Sequence, residues 1–332
     1  MIDLQEALRL LNSGDHVGIP TETVYGLAAR ADRPEGLKKI FATKARPFFD
    51  PLIVHVASVD QAKPLVTTWP LVADLLVQKF WPGPLTLVLP KSALISDLIT
   101  SGLESVALRS PNHPLALTLI QSSGPLAAPS ANRFGRTSPT TASHVRQEFA
   151  DEVFVIDGGP CDVGIESTVL ALRGLKLNEL SILRSGTITE TMISRLLKDH
   201  RFDFEFQVPT DKRLAPGQMK HHYMPDIPLI VGPQGLSLEA ITEQANLRLP
   251  QLPDQVEGVT LRKPRGVLTR PLELRLNDDP ALAARDLYAE LRRLSATSAD
   301  HLVFIRKDFH QGEAWDGLLD RLTKAASIIL AK

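Results

Sequence analysis

The chain has 332 residues, of which 43% are hydrophobic, and its 37 Lys and Arg residues nearly balance its 38 Asp and Glu residues. Single hydrophobic cores stop growing at about 250–300 residues, so this length predicts two domains. The balanced charge does not indicate a protein that binds nucleic acid through its overall field, and leaves open only a local basic groove.

The cysteine content and the first residues bear on where the protein works. A single cysteine, Cys161, excludes an intramolecular disulfide and a zinc site built from several cysteines, and it fits a reducing compartment. The first residues show no basic segment followed by an apolar stretch, and no run approaches the ~20 apolar residues of a membrane span. We therefore expect a cytoplasmic protein without a membrane association.

Short apolar runs alternate with amphipathic segments over residues 1–198, which predicts an α/β fold. The predicted strands are 16–19, 52–56, 85–89, 106–108, 126–128, 153–156, 168–172 and 180–183. The predicted helices are 4–11, 35–44, 71–80, 115–121, 142–149 and 189–198.

The pattern changes from about Arg201, and the sequence as far as Pro225 shows no clear period and contains LAPGQMKHHYMP. A loop of about 25 residues is more often functional or mobile than idle. A second α/β rhythm follows, with predicted strands at 229–231, 272–276 and 302–305 and predicted helices at 238–247, 281–294 and 315–330. We predict a catalytic domain over 1–198, a linker or lid over 199–226, and a smaller Rossmann-like α/β domain over 227–332.

Four of the predicted strands run directly into polar side chains. These side chains are Thr21, Glu22 and Thr23 after the first strand, Arg109, then Ser130 and Asn132, and Arg184. Ligands of open α/β sheets bind outside the carboxyl ends of the strands, so we expect the four clusters to share one cleft.

The segment KARPFFDPLIVH adds two cations, Lys44 and Arg46, at the end of a predicted helix. Each could simply bind the last carbonyls of that helix. Together with Arg109 and Arg184 they could instead meet one polyanion, because arginine offers a planar fork to carboxylates and phosphates while lysine acts as a point charge. No Walker or Gly-rich dinucleotide fingerprint is present, so a nucleotide site would be built from side chains and irregular loops.

Several segments, taken in order, resemble the threonylcarbamoyl-AMP synthase family and its YrdC-type first domain. They are PTETVYGLA, KARPFFDPLIVH, WPGPLTLVL, VALRSPNHP, PLAAPSAN with SPT after it, IDGGPCDVGIESTV and ILRSG. The linker APGQMKHHYMP resembles the signature of the long, two-domain branch. The resemblance covers roughly residues 3–226.

This resemblance implies an α/β fold, a YrdC-like open twisted sheet with a basic concave cleft. It implies that L-threonine, bicarbonate and ATP, with Mg²⁺, form threonylcarbamoyl-AMP and release diphosphate. A separate tRNA-modifying transferase would then move the threonylcarbamoyl group to the adenosine beside the anticodon. Transfer of this kind depends on positioning and charge neutralisation rather than on a covalent nucleophile.

The resemblance also assigns residues. The threonine site would comprise Thr23, His55, Arg109, Ala128 and Ser167. The ATP site would comprise Arg46, Asp50, Ser105, Ser130, Ser138, Arg184 and His222. Lys44, Arg46 and Asn132 are the expected catalytic residues, near the phosphates or the carbamate. A linker carrying His222 and Tyr223 could close over the site and exclude water from the unstable carbamate.

One position departs from the family pattern, because Asp50 stands where Asn is common. A carboxylate near a triphosphate is unfavourable unless a metal or Arg46 compensates it. Taken without the resemblance, His55 reads as a core histidine, and Cys161 as structural because no partner pattern marks it as a nucleophile. Adjacent His221 and His222 do not form a convincing zinc site.

Two other functions stay open at this point. One is a carbamoyladenylate enzyme of the hydrogenase-maturation kind, which shares the YrdC-type domain but requires zinc-finger cysteines. The other is a module that binds RNA weakly in the same basic concavity. The sequence has no aromatic-rich sheet motif that would support this function.

Overall fold

The structure is a computed structural model that describes residues 1–174, 177–209, 219–256, 259–260 and 266–330. The chain divides into two compact units, the first made of residues 1–133 and 139–218 and the second of residues 134–138 and 219–332. The predicted linker is thus shared between the units, and its residues 210–218 lie outside the described part of the chain.

The first unit alternates helices and strands. Its helices are Leu4–Asn12 (α1), Pro34–Lys44 (α2), Val59–Ala62 (α3), Leu71–Phe80 (α4), Asp97–Thr100 (α5), Pro114–Ser123 (α6), Ala142–Phe149 (α7) and Glu190–Asp199 (α8). Its strands are Val17–Ile19 (β1), Gly26–Arg30 (β2), Ile53–His55 (β3), Leu85–Pro90 (β4), Ser105–Arg109 (β5), Leu126–Ala127 (β6), Thr168–Arg173 (β7), Glu179–Arg184 (β8) and Glu205–Phe206 (β9). Side chains of Asp3, Thr141 and Thr189 accept hydrogen bonds from backbone amides and so fix where α1, α7 and α8 begin.

The nine strands of the first unit form one open sheet with the order β1-β2-β6-β3-β5-β4-β7-β8-β9. The sheet is mixed: β3 pairs with β5 in parallel, whereas β6 pairs with β3 and β4 pairs with β5 in antiparallel fashion. The large open sheet agrees with the predicted YrdC-like fold.

The two faces of this sheet differ because side chains alternate along each strand. Leu87, Leu108 and Leu170 belong to the largest core cluster of the unit, which also contains residues of α4 and α8. Their strand neighbours Val88, Ala107 and Val169 form a separate cluster of smaller apolar residues on the opposite side. We call this second side the site face, because the polar residues described below lie on it.

The second unit is a smaller α/β layer structure. Its strands are Leu229–Pro233 (β10), Gln255–Val256 (β11), Val259–Thr260 (β12), Pro271–Glu273 (β13), His301–Arg306 (β14) and Ile328–Ile329 (β15), and its helices are Leu238–Arg248 (α9), Pro280–Ser295 (α10) and Glu313–Ala325 (α11). The sheet β13-β14-β10-β15 is parallel throughout. Helices connect these parallel strands, as predicted for a Rossmann-like domain.

Two predicted elements differ from the structure in kind. The predicted strand 153–156 makes only an isolated bridge, in which Val155 pairs with Gly18. The predicted helix 315–330 ends at Ala325, and Ile328 then pairs with Ile230 in the sheet. Both errors have the same cause. The apolar pattern of a short segment does not determine whether a neighbouring strand is available to pair with it.

Five of the observed strands were not predicted, namely β2, β9, β11, β12 and β15. The region expected to lack regular structure contains β9, whose Glu205 and Phe206 pair in parallel with Glu179 and Leu180 of β8. Strand β2 begins at Gly26, inside the segment interpreted as a site loop. Among the residues that the structure describes, no helix is both long and apolar enough to span a bilayer.

Candidate functional site

The polar clusters do not all follow strand ends at one edge of the sheet. The pairing pattern makes β5 and β8 parallel to each other, so Arg109 and Arg184 lie at one edge. By the same pattern, β1 and β6 run the other way, and the residues that follow them start from the opposite edge. The rule that ligands bind outside the carboxyl ends of strands applies to parallel sheets, and this sheet is mixed. A loop brings two of the clusters into contact instead, through Glu22 and Arg109.

A buried ion pair joins the first cluster to the second. Arg109 Nη2 lies 2.7 Å from Glu22 Oε2, and both residues are only 4% exposed. Arg109 Nε also donates to the carbonyl of Gly83 at 3.3 Å. Strands β1 and β5 are four places apart in the sheet order, about 19 Å in a flat sheet. The loop after β1 must therefore fold back over the site face to bring Glu22 to Arg109.

This loop is shaped by its own hydroxyl groups. Thr21 Oγ1 donates to the carbonyl of Val24 at 2.6 Å and lies 3.0 Å from Thr23 Oγ1. The hydroxyl of Tyr25 donates to the carbonyl of Gly159 at 2.7 Å, and burial raises the pKa of Tyr25 to about 12. Thr21 and Tyr25 thus hold the loop, while Glu22 and Thr23 remain for the site.

His55 lies directly beside Arg109, because the two residues are partners in the β3–β5 register. Burial, reinforced by the charge of Arg109, lowers the pKa of His55 to about 3. The imidazole is therefore neutral at physiological pH and can act only through hydrogen bonds. Ala128, also buried, is held near it by a hydrogen bond from its backbone N–H to the carbonyl of Ile53 at 3.0 Å.

Ser167 is the centre of a second buried cluster. Its hydroxyl lies 2.7 Å from the hydroxyl of Thr86, and it accepts a hydrogen bond from Arg184 Nη2 at 3.1 Å. Arg184 Nε donates to the carbonyl of Ser167 at 3.0 Å. A residue that the resemblance assigns to threonine is therefore bonded directly to one that it assigns to ATP.

Lys44 anchors the loop that follows β6. Its Nζ donates to the carbonyl of Ser130 at 2.5 Å and to the carbonyl of Asn132, and the residue is 1% exposed. Burial, followed by the charge of Arg46, lowers the pKa of Lys44 well below its ordinary value. Lys44 is the last residue of α2, but its acceptors lie 86 and 88 residues later in the chain. These hydrogen bonds therefore do not cap the end of its own helix.

Arg46 is paired with the unusual aspartate. Its Nη2 lies 2.9 Å from Asp50 Oδ2, and its guanidinium also donates to the carbonyls of Asp50 at 3.1 Å and Pro51 at 2.8 Å. Both residues are buried. The charge of Asp50 is thus compensated by Arg46, one of the two possibilities considered from the sequence.

Three further residues are assigned to ATP by the resemblance. Ser105 starts β5 and, by alternation, is on the same face as Arg109, about 13 Å along the strand. Ser138 and His222 are buried in the second unit. The backbone N–H of His222 donates to the carbonyl of Lys324 at 3.0 Å, and its ring packs against Phe134.

Two residues of the site carried no assigned role. The resemblance gives Glu22 no role, although a glutamate between two threonines after an apolar strand suggests a site. Thr86 could have been found as the single polar residue in the apolar run LTLVL of β4. Within the described residues, no group of three or more His, Cys, Asp or Glu side chains could hold a metal ion.

Comparisons with known proteins show which family the chain belongs to. A family model described as telomere recombination, which covers the Sua5, YciO and YrdC proteins, matches residues 9–186, and one described as the C-terminal domain of threonylcarbamoyl-AMP synthase matches residues 188–327. The chain is 42% identical to threonylcarbamoyl-AMP synthase of Bacillus subtilis over 232 residues, which cover 69% of this chain and 66% of that protein.

A relative from Pyrococcus abyssi is similar over nearly the whole chain. Its threonylcarbamoyl-AMP synthase is 35% identical over 331 residues, 98% of this chain and 94% of that protein. The crystal structure of P. abyssi Sua5 complexed with L-threonine superposes with a TM-score of 0.78 at 33% identity, covering 98% of this chain and 95% of that one. The chain therefore belongs to the threonylcarbamoyl-AMP synthase family, in its two-domain form.

Proposed function

We propose that this protein synthesises L-threonylcarbamoyl-AMP from L-threonine, bicarbonate and Mg·ATP and releases diphosphate. The contact between Arg184 and Ser167 carries the proposal, because it links the residue assigned to the nucleotide with one assigned to the amino acid. A relative of the same architecture has been crystallised with L-threonine, which supports the choice of amino acid.

Threonine would bind at Arg109, with its carboxylate on the guanidinium N–H groups that Glu22 and Gly83 do not use. Thr23 and Ser167 offer hydroxyl groups, and neutral His55 offers a hydrogen-bonding ring nitrogen at the same face. Ala128 would pack against the bound amino acid. Such a site holds the carboxylate and the hydroxyl of threonine, and the nitrogen reacts with bicarbonate once it has lost its proton.

The nucleotide would use the cationic side chains that remain. Arg184 and Arg46 are the assigned phosphate partners in the first unit, with Ser105 and Ser130 as hydroxyl donors. Asp50 would act through Arg46, to which it is already paired. Ser138 and His222, in the second unit, keep their assignment to ATP as predictions.

The reaction would proceed by attack of a carbamate oxygen on the α-phosphorus, with diphosphate as the leaving group. Lys44 would position the loop containing Ser130 and Asn132 against the reacting groups, since its ammonium already binds that loop. Mg²⁺ would enter bound to the ATP phosphates, as it commonly does where a protein supplies few carboxylates. Charge neutralisation and positioning would supply most of the rate enhancement.

The product would serve the threonylcarbamoyladenosine modification of tRNA, through a separate transferase. The P. abyssi threonylcarbamoyl-AMP synthase matches 98% of this chain, including both domains. Synthase activity explains this match better than an RNA-binding function does. A hydrogenase-maturation enzyme would need the cysteines of a zinc finger, and the chain has one cysteine.

A product analysis tests the proposal. The purified protein is incubated with Mg·ATP, L-threonine and bicarbonate, and the nucleotide products are identified by mass spectrometry. We expect diphosphate and threonylcarbamoyl-AMP, and no adenylate when either threonine or bicarbonate is omitted. Diphosphate release that needs neither substrate would overturn the proposal, and use of carbamoyl phosphate instead would favour the hydrogenase-type reaction.

A further inference from the structure

The ion pair between Glu22 and Arg109 has a feature that a purely structural pair does not need. Glu22 Oε2 lies 2.7 Å from Arg109 Nη2 without hydrogen-bond geometry, and Glu22 Oε1 is likewise buried and accepts no hydrogen bond from any described residue. A buried carboxylate oxygen without a donor costs free energy, because water has been removed and nothing replaces it. This oxygen is therefore ready to accept a hydrogen bond from a ligand.

The charges around the pair are simple. Burial, followed by the charge of Glu22, raises the pKa of the Cys161 thiol to about 12, so the thiol is uncharged. His55 is uncharged as well, because its pKa is about 3. The glutamate and the arginine thus form a buried pair of net charge zero, with one negative and one positive end.

An amino-acid zwitterion has the complementary pair of charges. If the carboxylate of the amino acid binds Arg109, it shares the guanidinium with Glu22. The ammonium group of the amino acid would then lie near the Glu22 carboxylate. The four charges would then alternate in sign, and the net charge of the buried site would not change. A hydroxy acid at the same position would instead add an uncompensated negative charge to a buried site.

We propose that Glu22 binds the α-ammonium group of the substrate and so restricts the site to amino acids over the corresponding hydroxy acids. This inference rests on the proposed function, in which Arg109 binds the threonine carboxylate. It gives Glu22 a role in specificity that goes beyond pairing with Arg109.

Two ligands that differ only at the α-substituent test this role. L-Threonine and the corresponding 2,3-dihydroxybutanoate are titrated calorimetrically into the wild-type protein, into Glu22→Gln and into the control Glu190→Gln, whose changed residue is exposed at the start of α8. We expect the wild type and the control to prefer threonine at least tenfold. We expect Glu22→Gln to lose most of this preference, by binding threonine at least tenfold more weakly and the hydroxy acid as well as before or better.

The ratio of the two affinities separates specificity from general damage. If Glu22 has only a structural role, Glu22→Gln would weaken the binding of both ligands by the same factor. An unchanged ratio of the two affinities would overturn the inference. If Glu22→Gln does not fold, the wild type still decides, because equal affinity for the two ligands would also overturn it. A wild type that prefers threonine but makes no adenylate would instead overturn the proposed synthase activity and leave the role of Glu22 intact.

Discussion

The guanidinium group of Arg184 donates two hydrogen bonds to Ser167, one to its hydroxyl at 3.1 Å and one to its carbonyl at 3.0 Å. The two residues are 17 positions apart and meet where β7 begins and β8 ends. Thr86 Oγ1 lies 2.7 Å from the same serine hydroxyl. The orientation of Ser167 is therefore set by an arginine assigned to a different substrate.

Replacing this arginine should affect both substrates. Arg184→Gln removes the charge and the bidentate fork, and a hydrogen bond to a charged group contributes about 1.5–3 kcal/mol. We expect kcat/KM to fall at least tenfold for ATP and also for threonine, because Ser167 loses its orienting donors. Steady-state kinetics with each substrate varied in turn measures this, with Arg195→Gln as the control. An unchanged kcat/KM for threonine would contradict the coupling.

The Glu22–Arg109 pair should show strong coupling in stability. Arg109→Gln leaves the Glu22 carboxylate buried without its counter-charge, which typically destabilises a protein by about 3–5 kcal/mol. The double variant with Glu22→Gln removes both charges and should recover most of this loss. Urea unfolding of the wild type, both single variants and the double variant forms the cycle. Simple additivity of the two single effects would show that the pair is not coupled.

Asp50→Asn should strengthen ATP binding. The change removes one negative charge beside Arg46, while the hydrogen bonds from Arg46 to the carbonyls of Asp50 and Pro51 use backbone atoms and can persist. We expect a several-fold lower KM for ATP and a melting temperature lowered by a few degrees. Asp60→Asn, a change on the first turn of α3, is the control. A higher KM would mean that the Asp50 carboxylate itself serves the nucleotide.

His55 should make stability fall in mild acid. Its folded-state pKa of about 3 lies below its ordinary value of 6.5, so between these pH values the unfolded chain binds the additional proton. The contribution of neutral His55 to the free energy of unfolding is fully present above pH 6.5. It is lost as the pH falls towards 3, by up to about 1.4 kcal/mol per pH unit. Unfolding free energies of the wild type and His55→Gln at pH 7.5, 6.5 and 5.5 measure the difference, with His200→Gln as control. Parallel pH profiles would contradict it.

Cys161 should be unreactive in the folded protein. Burial and the Glu22 carboxylate raise its thiol pKa to about 12, and only the thiolate is a good nucleophile. We expect labelling by a thiol reagent at pH 8 to be at least a hundredfold slower in buffer than in concentrated urea. The reading is unambiguous because the chain has one cysteine. Complete labelling of the folded protein within minutes would show that the thiol is accessible.

Much of the local structure could be predicted from the sequence. The helix bounds at 71–80 and 142–149 match α4 and α7, and most predicted strands lie within two residues of the observed ones. These elements depend on the spacing of apolar residues and on caps such as Thr141, which act over one or two turns. Segments whose state depends on a distant partner, such as β9 and β15, could not be predicted in this way.

The sequence by itself determined which chemical groups the site contains: the arginines at the ends of β5 and β8, the lysine at the end of α2, and the hydroxyl-rich loop after β1. Only the tertiary structure decided which of them meet. Arg109 is joined to Glu22, Arg184 to Ser167, and Lys44 to the loop of Ser130 and Asn132. The physical reason is that side-chain chemistry and helix periodicity are local properties, whereas strand order and direction in a mixed sheet are settled by the packing of the whole unit.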